Sequence, residues 1–168
     1  MTYELQLIGG EVSQTVNLAD GYWTIGHAKG RGLHTLNPHI TGNDIELSDY
    51  FPAEYLVQLS GIGAQHGSFR VDNGKLLYSS GYGTIVIRAG SVMVSVWGWS
   101  IGEFLNRNGV LYEKNENGLE VSGDFVRLMQ GDILVLGQRV TRQWDPGKKR
   151  PVPCIVRSGS NPLEVRVL

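Results

Sequence analysis

The stretch Ser68-Phe69-Arg70-Val71-Asp72-Asn73-Gly74-Lys75-Leu76-Leu77-Tyr78 decides the fold class. Phe69 and Val71 alternate with Ser68, Arg70 and Asp72, the period of a strand with one buried face. Asn73-Gly74 accepts the two left-handed positions of a type I′ turn, whose twist suits antiparallel strands. The stretch predicts a β-hairpin with strands at Ser68–Asp72 and Lys75–Tyr78.

The same period recurs outward in both directions. Tyr3, Leu5 and Leu7 alternate with Glu4 and Gln6. Trp23 and Ile25 alternate with Tyr22 and Thr24, Val92, Val94 and Val96 with Ser91, Met93 and Ser95, and Val165 and Val167 with Glu164 and Arg166. Asn117-Gly118 predicts a second hairpin between Val110–Lys114 and Leu119–Ser122. Ile133 to Leu136, after Gln130-Gly131-Asp132, reads as a short buried strand. Trp99 to Asn106 carries Ile101, Phe104 and Leu105 at helical spacing and is the one helical expectation.

Composition agrees with an all-β chain. Of 168 residues, 23 are Gly and only 18% are charged, which disfavours long surface helices and suits tight turns. The length suits one domain over residues 1–168, with 41% hydrophobic residues to build its core. A net charge of -1 offers no general attraction for nucleic acid or anionic lipid, so neither is expected as a partner. Arg142, Lys148, Lys149 and Arg150 cluster around Asp145-Pro146-Gly147, and Gln143 to Pro153 reads as a solvated loop. The single cysteine, Cys154, forms no internal disulfide and reads as a small core residue. That usage, a start without signal-peptide character and the lack of a long apolar run predict a soluble, cytoplasmic protein without a membrane span.

Chemistry-bearing motifs are sparse. His27, His34 and His39 stand seven and five residues apart in Gly26 to Thr41, a long Gly-containing loop that sets no rigid ligand face, so no metal is expected. No nucleophile elbow, P-loop or dinucleotide fingerprint is present, and no cofactor is expected. The reading is a binding protein rather than an enzyme. Trp97 and Trp99 follow the Val92–Val96 strand, and alternation would place them on one face. They form either a hydrophobic corner of the core or an exposed platform for a partner.

An ordered set of segments carries a family resemblance. Trp23-Thr24-Ile25-Gly26 precedes Gly42-Asn43-Asp44-Ile45-Glu46-Leu47. Ile62-Gly63-Ala64-Gln65-His66-Gly67-Ser68-Phe69-Arg70-Val71 follows, then the Asn73-Gly74 turn, Ser80-Gly81-Tyr82-Gly83-Thr84-Ile85-Val86, and Leu128-Met129-Gln130-Gly131-Asp132-Ile133-Leu134-Val135-Leu136-Gly137. This order resembles the forkhead-associated (FHA) domain over about residues 3 to 140. In that family an Ile-Gly-Arg turn, Asn-Asp-Ile, Ser-x-x-His, Ser-x-Asn-Gly-Thr and Gly-Asp follow in the same sequence.

The resemblance implies a β-sandwich of about eleven strands whose loops at one end read phosphothreonine in partner proteins. It implies ligand-contacting positions at His27, Gly63, Ser80, Tyr82 and Thr84, and a structural brace at His66. Three of these positions depart from the pattern. His27 stands where the family has Arg, Gly63 where it has a phosphate-binding Ser, and Tyr82 where it has a peptide-holding Asn. Arg forks and hydroxyls are the usual phosphate partners, and Arg31 or Lys29 would have to replace them. Insertions relative to the pattern fall near residues 49–61 and 87–127. The expected role is a protein-interaction module for a phosphopeptide or other acidic peptide. The alternative is a scaffold that binds a partner or a second copy without phosphate, through Trp97 and Trp99.

Overall fold

The Asn73-Gly74 hairpin forms the centre of one of two packed sheets. The computed structural model describes residues 2–28, 42–58, 61–114, 119–157 and 163–168. Strands β5 (Gly67–Asp72) and β6 (Lys75–Ser80) pair in the predicted register, with Asp72 opposite Lys75. Asn73 and Gly74 turn at φ of 50° and 72°, the left-handed pair that a type I′ turn demands.

Around this hairpin a six-stranded sheet is completed on one side by β3 (Gly21–Gly26) and β4 (Ile45–Glu46). On the other side lie β12 (Phe125–Leu128) and β11 (Val121–Ser122). The facing eight-stranded sheet runs β10 (Val110–Glu113), β9 (Ser100–Arg107), β8 (Val92–Trp97), β7 (Thr84–Arg88), β13 (Ile133–Leu136), β16 (Leu163–Val167), β1 (Tyr3–Gly9) and β2 (Val12–Leu18). Every pairing is antiparallel except β3 with β4. The result is an all-β sandwich.

The alternation read from sequence fills the space between the sheets. Phe69, Val71, Leu76 and Tyr78 of the smaller sheet meet Leu5, Leu7, Val86, Val94, Leu134 and Val165 of the larger one, all fully or almost fully buried. Each such aliphatic or aromatic side chain stabilises the fold by roughly 1.5–3 kcal/mol. The segment after β4 holds a 3₁₀ turn (Leu47–Asp49) and a one-turn helix α1 (Ala53–Leu56). Phe51 and Leu56 there join the core, and Tyr55 lies on Gly9, where a Cβ would come within 2.5 Å of its ring.

Four expectations give way. Trp99 to Asn106 is not helix: Trp99 lies in a turn, and β9 pairs with β8 from Trp97↔Ser100 to Val92↔Leu105. The Asn117-Gly118 turn lies outside the described residues, and its expected strands do not pair. Val110–Glu113 joins β9 in the large sheet through an Asn108-Gly109 turn, whereas Val121–Ser122 joins β12 in the small one. Gln143 to Pro153 is mostly strand, because β14 (Gln138–Asp145) and β15 (Arg150–Arg157) form a two-stranded ribbon with only residues 146–149 as its turn. Cys154 is half-buried in that ribbon opposite Thr141 rather than in the core.

The ribbon lies on the outer face of the large sheet. Val140 packs on Ile85, Met93 and Leu111, a second apolar cluster separate from the main core. Its backbone N–H donates to Ser95 Oγ at 3.0 Å.

Candidate functional site

Three loops meet at one end of the sandwich, after β3, before β5 and between β6 and β7. Gly26 lets the first two approach closely, and Gly83 lets the third lie against the start of β14. A Cβ on Gly26 would stand 2.3 Å from the Ala64 carbonyl oxygen, and one on Gly83 would stand 2.8 Å from Arg139 Cβ. Backbone bonds then stitch the loops: His27 N–H to Gly63 O at 3.1 Å, His66 N–H to Ile25 O at 2.8 Å, Gly81 N–H to His66 O at 3.0 Å and Gly137 N–H to Gly83 O at 2.9 Å.

His66 sits at the centre with no exposed surface. Its Nδ1 accepts the Gly63 N–H at 3.1 Å, and its Nε2 lies 3.0 Å from Gly83 O and 3.1 Å from Thr84 Oγ1. A carbonyl oxygen only accepts, so both sets of contacts are met together by the neutral ring protonated at Nε2. One imidazole thereby ties the loop before β5 to the loop before β7.

The hydroxyls beside it face inward. Thr84 Oγ1 lies 2.8 Å from the Tyr78 hydroxyl and 2.9 Å from Ser80 Oγ, and Ser80 Oγ also contacts the carbonyl oxygens of His66 and Tyr82. Ser80 and Thr84 are buried, so neither side chain presents a donor to an outside ligand, unlike the ligand-contacting role that the resemblance implies. Burial pushes the Tyr78 hydroxyl up to about 12, against the pull of its bonds to Ser80 and Thr84.

Tyr82 occupies the mouth of the site. Its ring is 48% exposed on one side and stacks on His66 on the other, with centroids 5.7 Å apart. It also covers Gly63 so closely that a Cβ there would fall 2.1 Å from Tyr82 Cε2. Gly63 and Tyr82 are therefore one packing unit: the absent side chain makes room for the ring. A hydroxymethyl group at Gly63 and this ring position exclude each other.

A second network, which sequence reasoning passed over, holds the neighbouring turn. Glu46 is fully buried, and its carboxylate accepts the Ala28 N–H and Asn43 Nδ2, both at 3.0 Å, and the Ser48 hydroxyl at 3.3 Å. Asn43 also donates to Ala64 O at 2.7 Å. Asp44 Oδ2 accepts the Thr24 N–H at 2.9 Å and its hydroxyl at 3.1 Å. The segment Gly42 to Leu47 carries part of the family resemblance, but its order alone assigns no bonding role to Asn43, Asp44 or Glu46.

His27 is half-buried at the edge of this cluster. Arg31, Lys29, His34 and His39 lie outside the described residues. The turn that carries Trp97 and Trp99 adjoins the loop end, where the Gly98 N–H donates to Ser80 O at 2.6 Å, and the alternation stops between the two because Gly98 turns at φ 57°. Trp97, 47% exposed, lies on the outer sheet face with the Arg139 guanidinium 4.0 Å from its ring centre, while Trp99 at the turn is 80% exposed. Neither belongs to the core. Among the described residues no three His, Cys, Asp or Glu side chains gather where they could hold a metal ion. No described helix is long and apolar enough to cross a membrane. No family model, curated protein or solved structure matches the chain.

Proposed function

We propose that the chain is an FHA-like β-sandwich that works as a protein-interaction module in the cytoplasm, without catalysis, and that its loop end recognises a partner independently of phosphothreonine. The observation that carries the second half is the Tyr82 ring packed on Gly63, with Ser80 and Thr84 turned inward. A phosphate dianion needs hydroxyl, guanidinium or free backbone donors at that mouth. The described mouth offers an aromatic ring in their place.

Support for the FHA-like half comes from the strands and the brace. The described strands form two packed, mostly antiparallel sheets, the sandwich that the resemblance implies. His66, the residue that the resemblance implies as a brace, bonds across the junction to Gly83 O and Thr84 Oγ1.

Titration with a degenerate phosphothreonine peptide library and its unphosphorylated twin tests the proposal. The expected result is no preference for the phosphorylated form. A preference of tenfold or more, lost in Arg31→Ala, would instead assign the loop of residues 29–41 to phosphate capture. A partner-docking or self-association role for Trp97 and Trp99 is the second reading, favoured by the 80% exposure of Trp99. Light scattering of the wild type and Trp99→Ser tests its self-association arm.

A further inference from the structure

The large sheet ends at β10, and that end differs from the other strand edges near it. A two-residue turn closes on a hydrogen-bonded pair, here Arg107 and Val110. Alternation then points the N–H and C=O of Leu111 and Glu113 away from β9. The Lys114 N–H bond to Glu103 O at 3.1 Å has the parity this requires. Among the described residues no backbone group takes those outward groups. β15 runs alongside but does not pair with β10, and a cleft of about 630 Å³ separates them.

The β15 edge lacks donors over the half nearest its turn. Pro151 and Pro153 stand opposite Trp144 and Arg142, at the positions whose backbone nitrogens face out of the ribbon. Proline has no N–H, so the edge offers no donor at either place. An added strand is therefore directed to β10.

Charge sets the occupant. Both carboxylates in the cleft are engaged: Glu113 pairs with Arg142, and Asp145 Oδ1 accepts the N–H groups of Gly147 and Lys148 at 2.8 and 3.2 Å. Lys148, Lys149 and Arg150 are exposed, and no described carboxylate pairs with them. The cleft is thus a local cationic excess on a chain of net charge -1. On its other side Val110 and Tyr112, 46% and 50% exposed, project from β10 opposite in sense to Leu111 and Glu113.

We propose that the cleft between β10 and β15 receives an extended acidic segment of a partner protein, added as a strand to the free edge of β10. Its backbone pairs with Leu111 and Glu113. Its acidic side chains face Lys148 and Arg150, and its alternate apolar side chains lie beside Val110 and Tyr112. This surface is separate from the loop end and does not depend on the reading given for it.

The test uses a labelled eight-residue peptide alternating Asp or Glu with Val or Ile, and the intact chain. Two control peptides carry Lys at the acidic positions or N-methyl groups on alternate amides. The acidic probe is expected to bind, to slow hydrogen exchange at the Leu111 and Glu113 amides, and to weaken about tenfold in K148E/R150E, whose sites are exposed at the tip of the ribbon. The N-methylated and Lys probes are expected to bind at least tenfold more weakly. Equal binding of the acidic and Lys probes, no binding of either, or unchanged exchange at Leu111 and Glu113 would overturn the proposal. So would a dimer formed through β10 in light scattering, or a single-stranded oligonucleotide occupying the cations to the exclusion of the acidic probe.

Discussion

Replacing Gly63 by Ala places a methyl group 2.1 and 2.2 Å from two carbons of the Tyr82 ring. Gly63 does not adopt a left-handed φ, so its backbone conformation accepts a side chain, and the atoms nearest the new methyl are those of the ring. Tyr82 is 48% exposed, so the ring can swing out instead of forcing the backbone apart. At full burial an aromatic side chain removes 150–250 Å² from water, so the half-buried ring covers about 100 Å², worth about 2.5 kcal/mol. A swing that forfeits part of this, together with the His66 stacking, costs about 1–2 kcal/mol, the usual range for overpacking. In a Tyr82→Ala background the obstacle is gone, and Gly63→Ala should be neutral or stabilising by a few tenths of a kcal/mol through the unfolded chain. Urea unfolding of the wild type, both single variants and the double variant, followed by tryptophan fluorescence, measures the coupling. A coupling above about 1 kcal/mol is expected. Additivity within about 0.4 kcal/mol would refute the idea that Gly63 and Tyr82 are one packing unit.

Gly26→Ala should be more damaging, because its Cβ would meet the Ala64 carbonyl at 2.3 Å and backbone cannot swing aside; a loss above about 3 kcal/mol in the same assay is expected. Asp132 is buried, holds Arg88 through two bonds of 3.0 and 2.7 Å and accepts the Met129 N–H at 2.8 Å; Asp132→Ala should cost about 3 kcal/mol by stranding the guanidinium and that amide. The Tyr78 hydroxyl, raised from 10.0 to about 12, favours the folded state while neutral. That contribution is complete below pH 10 and lost between about pH 10 and 12, so unfolding midpoints should fall through that window and fall less in Tyr78→Phe.

The parts of the fold legible in sequence are those fixed by local chemistry. Asn73-Gly74 specifies its turn almost alone, and Phe69 and Val71 have one buried face, so period two survives in the sequence. β9 misled for a physical reason. Its two faces are both covered: Ile101 packs toward the main core and Phe104 lies buried on the opposite face beside Met93. Apolar residues at 101, 104 and 105 then mimic a helical spacing in a strand. The β14–β15 ribbon buries little beyond Val140, so its prolines and charges read as loop.

The site was legible only as positions. His66 and Gly83 stood out by order, whereas the inward turn of Ser80 and Thr84 depends on where Tyr78 of the smaller sheet places its hydroxyl against Thr84 of the larger one. The pairing of Tyr82 with Gly63 joins residues on different loops, and neither residue alone signals the other. The edge of β10 was hidden for the same reason, since its neighbour β15 comes from a distant part of the chain.

We propose an FHA-like recognition end in which the Tyr82 ring packed on Gly63 stands where the resemblance implies phosphate-reading side chains. The triple variant His27→Arg/Gly63→Ser/Tyr82→Asn restores the three departing positions and removes the ring that covers Gly63. Calorimetric titration of wild type and variant with the paired phosphorylated and unphosphorylated peptide libraries tests the claim directly. No phosphorylation preference is expected in the wild type, and a gain of at least tenfold preference is expected in the variant. A preference already present in the wild type, or none gained by a folded triple variant, would contradict it.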